Sequence, residues 1–322
     1  MKHFLLLLII SIFMLPVSLK AQVGIPIYHD YLSDNLYLLH PSMAGASSCA
    51  KVRLTHRMQW FDVTDAPALQ TFSFQTHLGQ EGNNGIGAII FNDRNGYHSQ
   101  KGIQLAFAHH LNFGNGAYVN KLSFGIAGTL VQNQFDATSF DPSQVDPAIA
   151  GIVQSSMYYN IDFGLSYHLK GFFFNATLKN ALLSSNSTFG NVNLRNYVIS
   201  TGVYTNGKRF HIEPSVLIQY KEFADDIISD FNLKLYRRLA NDNMLYLGAS
   251  FRRDWQEDIN QNFYQTLSPI VGVNFGKLTV AYTYTYEMTP TPISTSGFHQ
   301  ITLGYNFNCL PHLVKLSCPE IF

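Results

Sequence analysis

The side chains in this sequence that could do chemistry are spaced so as to keep them apart. His109-His110 is an adjacent histidine pair, but it lies in a segment with strand alternation, where neighbouring side chains point to opposite faces. The two cannot hold one metal together, and the expectation is a polar inward contact for His110 and an interfacial position for His109. Asp141-Pro142 and Asp146-Pro147 share a long loop. A calcium ion needs six or more oxygens, and their spacing fits no calcium loop, whereas Asp-Pro starts turns. Asp225-Asp226 and Glu257-Asp258 read as solvated loop charges, because a carboxylate-pair hydrolase needs two acids fixed on rigid elements. There is no Gly-x-Ser-x-Gly elbow, the strained turn that exposes a nucleophilic serine. Gly85-Ile86-Gly87 lacks the third glycine of a nucleotide loop. Neither an enzyme nor a cofactor or metal site is expected.

Three cysteines, Cys49, Cys309 and Cys318, cannot all pair with one another. Cys309 and Cys318 close a short loop and could form a disulfide in an oxidising compartment; unpaired thiols are the alternative. No CxxC spacing supports a zinc or redox site.

The chain opens Met1-Lys2-His3, runs apolar from Phe4 to Leu15, and reaches Pro16 and Ala21 before Gln22. This order of basic, apolar and small residues is that of a signal peptide over 1–21. Beyond it no run approaches the ~18 apolar residues a spanning helix needs. The mature chain is therefore soluble or crosses a membrane as strands. With 18 Tyr, 25 Phe and only 13% charged residues, it suits a lipid-facing surface with aromatic girdles. Lys+Arg and Asp+Glu balance at 21 each, so no basic excess points to nucleic acid.

Alternation then sets the architecture. In 157–169, Met157, Tyr159, Ile161, Phe163, Leu165, Tyr167 and Leu169 share one face, opposite small and polar residues, which is the period of a strand. The same holds for 278–288 and 299–307. About fourteen such segments occur. They lie near 51–60, 68–78, 85–93, 99–112, 117–132, 157–169, 171–180, 194–205, 208–221, 228–239, 243–254, 263–275, 277–288 and 297–307. Short turns at 113–116, Lys170-Gly171, Asn206-Gly207, 240–242 and Gly276-Lys277 alternate with longer connections at 61–67, 133–156, 181–193, 255–262 and 289–296. Short turns on one rim and long loops on the other are the layout of an outer-membrane barrel. The expected fold is all-β: a transmembrane, antiparallel, up-and-down β-barrel over 51–307, embedded in outer-membrane lipid, with both termini periplasmic. Residues 22–50 are too apolar for a loose tail and are expected as a periplasmic segment or a plug in the lumen; 308–322 form a periplasmic tail.

Ile27-Tyr28-His29-Asp30-Tyr31 and Leu39-His40-Pro41-Ser42-Met43-Ala44-Gly45 are followed by Arg57-Met58-Gln59-Trp60 with Ala66-Pro67, Asn92-Asp93-Arg94-Asn95-Gly96, Ala281-Tyr282-Thr283-Tyr284, 296–305 and the closing Cys318-Pro319. In that order these segments resemble the motifs of the PorP/SprF family of the type IX secretion system of Bacteroidetes, with His40 where the family's opening usually has Asn. The resemblance implies an outer-membrane barrel of the secretion and gliding machinery. It also implies as partners a periplasmic, peptidoglycan-binding lipoprotein of OmpA-like type and a secreted adhesin or its C-terminal domain. The candidate motif and partner-surface residues are Tyr28 and Tyr31; Pro41, Ala44 and Gly45; Trp60 and Pro67; and Cys318 and Pro319. Trp60 has two compatible readings, a girdle aromatic at the membrane interface or a residue that sets its loop for a partner. Two functions stand: a scaffold that docks protein partners, or a passive porin, with an open or a filled lumen as the discriminating feature.

Overall fold

A computed structural model describes residues 35–60, 65–113, 119–138, 152–182, 184–187, 190–192, 194–205, 207, 210–239, 243–257, 263–288 and 296–310. The strands are β1 (Ala50–Gln59), β2 (Ala68–Leu78), β3 (Asn84–Asn95), β4 (His98–Asn112), β5 (Asn120–Asp136), β6 (Val153–Leu169), β7 (Phe172–Lys179), β8 (Ser184–Ser187) and β9 (Gly190–Val192). They continue as β10 (Asn196–Val203), β11 (Phe210–Lys221), β12 (Asp226–Arg238), β13 (Met244–Glu257), β14 (Phe263–Phe275), β15 (Leu278–Glu287) and β16 (Phe298–Phe307). All but β8 and β9 join one closed, antiparallel, fourteen-stranded barrel. Neighbours in the wall are neighbours in sequence, except where β7 pairs β10 across the β8–β9 hairpin. Closure is made by β1 against β16, from Ala50 opposite Phe307 to Gln59 opposite Phe298.

Burial is inverted relative to a water-soluble protein. Leu105 is 60% exposed, Leu233 54% and Leu54 50%, while Arg53, Thr55, Asn160, Asp162, Ser166 and Lys234 are buried. Apolar side chains therefore point outward and polar ones into the lumen, as a lipid solvent requires. Among the described residues no helix is long and apolar enough to cross a membrane. Along β4 the outward residues from Ile103 to Leu111 are largely apolar, and Lys101 above them begins a polar rim. At about 3.4 Å per residue and a tilt near 40°, that run rises roughly 20 Å, close to the ~25 Å apolar band of such barrels.

The expected strands all occur, and the differences have local causes. β5 and β6 run further than expected, to Asp136 and from Val153. Their upper ends set Phe135 and Val153 among Asn, Gln, Ser and Asp, so the alternation there is too weak to read. The 181–193 connection, expected as a loop, contains the β8–β9 hairpin. Two connections on the long-loop rim are tight turns. Gly96 at φ +57° serves the β3–β4 turn and Asp225 at φ +51° the β11–β12 turn, the left-handed region that Gly and Asp enter most readily.

Leu105→Arg places a cation in the apolar band and is expected to destabilise the barrel by about 2–4 kcal/mol. Denaturant unfolding in lipid vesicles, followed by the heat-dependent gel shift of folded barrels, measures it.

Candidate functional site: the filled lumen

Residues 35–49 lie inside the barrel, on the inner face of β2–β7 and β10. Two 3-10 turns shape this segment, Leu36–Leu38 and Pro41–Met43. Pro41 opens the second turn, where its missing N–H is not needed. Tyr37, Leu38, Leu39 and Ala44 are fully enclosed. Backbone polar groups here are out of reach of bulk water and must find partners in the wall.

The wall supplies them. Lys179 Nζ donates to Leu38 O at 3.2 Å and Lys121 Nζ to Ala46 O at 3.0 Å. Gly45 N–H donates to Gln75 Oε1 at 3.2 Å, and Asn35 Nδ2 donates to Ser73 Oγ at 2.9 Å. The Ser42 and Ser166 hydroxyls meet at 2.6 Å. His110 Nε2 lies 3.0 Å from Ala44 O, which can only accept, so this nitrogen carries the proton and Nδ1 accepts from Ser123 Oγ at 2.8 Å. His40 bridges Thr177 Oγ1 and Ser200 Oγ, each at 2.9 Å. Burial, reinforced by Lys179 and His168, lowers its pKa and keeps the ring neutral.

Glycines make the close approach possible. Gly125 and Gly164 face each other across β5 and β6, under the Pro41–Ser42 peptide. A Cβ on Gly125 would stand 2.2 Å from Ser42 N and 2.4 Å from the Pro41 carbonyl carbon. Gly45 is required twice over: its φ is +64°, and a Cβ there would meet Thr76 O at 2.4 Å. These contacts give Pro41, Ala44 and Gly45 a physical role.

A covalent tie closes the segment. Cys49 is disulfide-bonded to Cys309, 260 residues away, which replaces both readings offered for Cys309, a bond to Cys318 or an unpaired thiol. Because Ala50 faces Phe307 across the closing seam, the residues just outside those strand ends meet. Leu310 N–H donates to Ser48 O at 2.9 Å beside the bond. Cys318, Pro319, Tyr28 and Tyr31 lie outside the described residues, as do Asp141-Pro142 and Asp146-Pro147.

Across the lumen, β10–β13 contribute aromatic bulk. Tyr204 stacks on His211 with ring centroids 5.2 Å apart, meets Tyr236 edge-on at 5.7 Å, and Tyr236 packs on Tyr246 at 5.5 Å. Tyr236 donates to Glu213 at 3.0 Å. Higher up, Arg252 grips Asp230 through Nε at 2.5 Å and Nη2 at 2.6 Å.

Trp60 sits at the opposite mouth and is not a girdle residue. With φ +49° it turns over the rim, donates Nε1–H to Glu287 at 3.3 Å, and meets Phe298 edge-on at 6.0 Å. Glu287 and Phe298 belong to the inward rows of β15 and β16. Pro67 closes the same connection by accepting Gln59 N–H at 2.9 Å. The histidine pair divides as expected: His110 is buried inside, and exposed His109 bonds Asn84 at 2.8 Å. Asp226, expected in a solvated loop, is buried and ion-paired with Lys221 at 2.8 Å. Among the described residues no group of three or more His, Cys, Asp or Glu could hold a metal.

Fold and site together define a transmembrane β-barrel whose lumen holds its own N-terminal segment. The sequence profile of the type IX secretion system membrane protein PorP/SprF matches residues 20–305, and the chain belongs to that family. Comparison with curated protein sequences gives no match. Solved structures with a similar barrel include the CymD monoaromatic hydrocarbon channel, at 12% identity, covering 86% of this chain and 93% of that one with a TM-score of 0.49. A deletion mutant of the TodX monoaromatic hydrocarbon channel follows at 11% identity, 85% and 94% coverage and a TM-score of 0.47. The translocator domain of autotransporter NalP from Neisseria meningitidis matches at 12% identity, 87% and 95% coverage and a TM-score of 0.39.

Gly125→Val forces a side chain into the Pro41–Ser42 peptide, and overpacking of this kind costs about 1–3 kcal/mol. Gly128→Val on the same strand, where a Cβ meets nothing within 4 Å, is expected to cost far less. Thermal unfolding in detergent compares the two.

Proposed function

We propose that this chain is an outer-membrane scaffold of the type IX secretion and gliding machinery, without catalytic activity of its own. In this reading it docks a periplasmic, peptidoglycan-binding lipoprotein of OmpA-like type and helps secrete or anchor a cell-surface adhesin. Residues 1–21 direct export and are removed, 22–50 form the periplasmic or plug segment, 51–307 the barrel, and 308–322 a periplasmic tail. Both termini then face the periplasm, together with the short turns, and the long loops face outward.

The observation that carries the reading is residues 35–49 hydrogen-bonded within the lumen. A passive porin needs a water-filled bore, whereas here side chains that would line one are engaged with this segment. A barrel so filled serves better as a fixed platform, with recognition left to rims, loops and termini. Family membership supports the secretion assignment.

The test is purification in mild detergent from the native host, with co-purifying proteins identified by mass spectrometry. The comparison is a chain lacking 311–322, which keeps Cys309 and its disulfide. Recovery of a peptidoglycan-binding lipoprotein and a large surface protein is expected, with the lipoprotein lost on truncation. A barrel that recovers neither partner from its own host overturns the scaffold reading.

A further inference from the structure

Among the described residues of the barrel strands, Gly128 is the one glycine that the fold itself does not require. It lies inside β5, has no positive φ, and a Cβ added to it would meet nothing within 4 Å. Gly125, on the opposite face of the same strand, differs, because the Pro41–Ser42 peptide excludes its Cβ. Glycine weakens a strand interior, and it often marks a place where a ligand comes close.

The open space lies on the lipid side. Register sets Gly128 between Leu105 on β4 and Ile161 on β6. Its outward row continues through Ile126 and Leu130, 44% and 43% exposed. The missing side chain leaves a notch of about 360 Å³, flanked by Leu105, Phe107, Ile126 and Ile161. Toward the long-loop rim, four residues along each strand, Lys101 stands opposite Gln132. At about 3.4 Å per residue and a tilt near 40°, Lys101 is roughly 10 Å above the notch. Between them a second hollow, of about 1060 Å³, has Ile103 and Leu130 at its apolar end.

Charge at the upper end is unbalanced. Lys101 is exposed and, among the described residues, makes no ion pair. Asn92 and Gln132 beside it in the same row are neutral. The two acids that line the hollow are engaged, Asp65 with Arg94 at 2.7 Å and Asp136 with the Thr138 hydroxyl at 2.6 Å. An apolar notch below and an unpaired cation above match the two ends of an anionic amphiphile.

We propose that this outer face of β4–β6 holds one membrane lipid with a net-anionic phosphate headgroup, its acyl chain in the Gly128 notch and its phosphate on Lys101. Lipid already bathes this face, so apolar burial by itself selects nothing; the notch selects by shape and Lys101 by charge. β4 and β5 have both edges paired at this level, so no protein strand can add here. In the orientation proposed above the lipid belongs to the outer leaflet. The inference goes beyond the scaffold reading and does not depend on it.

The full-length chain, purified in detergent and stripped of lipid, is titrated with phosphatidylglycerol or with phosphatidylcholine of the same acyl chains. Native mass spectrometry counts the lipids retained. One phosphatidylglycerol is expected to bind about fivefold more tightly than phosphatidylcholine, the effect of one interfacial cation. Lys101→Ala is expected to abolish that preference. Gly128→Leu fills the notch from the lipid side and is expected to lower retention of both lipids several-fold. Normal heat-dependent gel migration shows that each variant has folded. Equal retention of the two lipids by the unaltered chain overturns the proposal. So does a preference that survives Lys101→Ala, or retention that Gly128→Leu leaves unchanged.

Discussion

Everything in this molecule answers to one constraint: within lipid no backbone N–H or C=O can be left to water. A sheet meets it only by closing on itself, and the pairing of β1 with β16 performs that closure. Closure then fixes which way each side chain points, because the period of a strand is two. Leu54, Leu105 and Leu233 go to the lipid, and Arg53, Lys121, Asp162 and Lys179 go to the lumen. A lumen lined with such groups is costly to leave dry and unpaired.

The 35–49 segment resolves that cost. Its carbonyls receive Lys121, Lys179 and His110, and its serine and histidine meet wall hydroxyls. The segment is thus held by hydrogen bonds to polar groups of the wall together with the burial of Leu36, Tyr37, Leu38, Leu39 and Met43. Gly45, Gly125 and Gly164 allow its backbone to lie against the wall, and the Cys49–Cys309 bond fastens it at the seam.

How much of this could be read from the sequence follows from its physics. Strands inside the lipid band alternate sharply, as in 157–169 and 278–288, so they and their order were legible. The dense Leu36-Tyr37-Leu38-Leu39 run points to a buried N-terminal segment, though its partners are hidden, since Lys179 and Ser200 lie 141 and 160 residues along the chain from Leu38 and His40. The Cys49–Cys309 bond depends on closure bringing chain ends together, which local spacing does not encode. Trp60 looked like an interfacial aromatic because its left-handed backbone turn leaves no mark in composition. In the upper ends of β5 and β6, Phe135 and Val153 stand among Asn, Gln, Ser and Asp, so the period of two fades there and the sequence reads as loop.

The central claim is that the barrel is closed by its own N-terminal segment. Ion conductance in planar bilayers tests it most directly, with the full-length barrel beside one lacking residues 35–48, so that Cys49 keeps its bond. The account predicts a full-length barrel with no steady conductance and a deletion variant that conducts through the opened lumen. Steady conductance by the full-length protein, unchanged by the deletion, would contradict it.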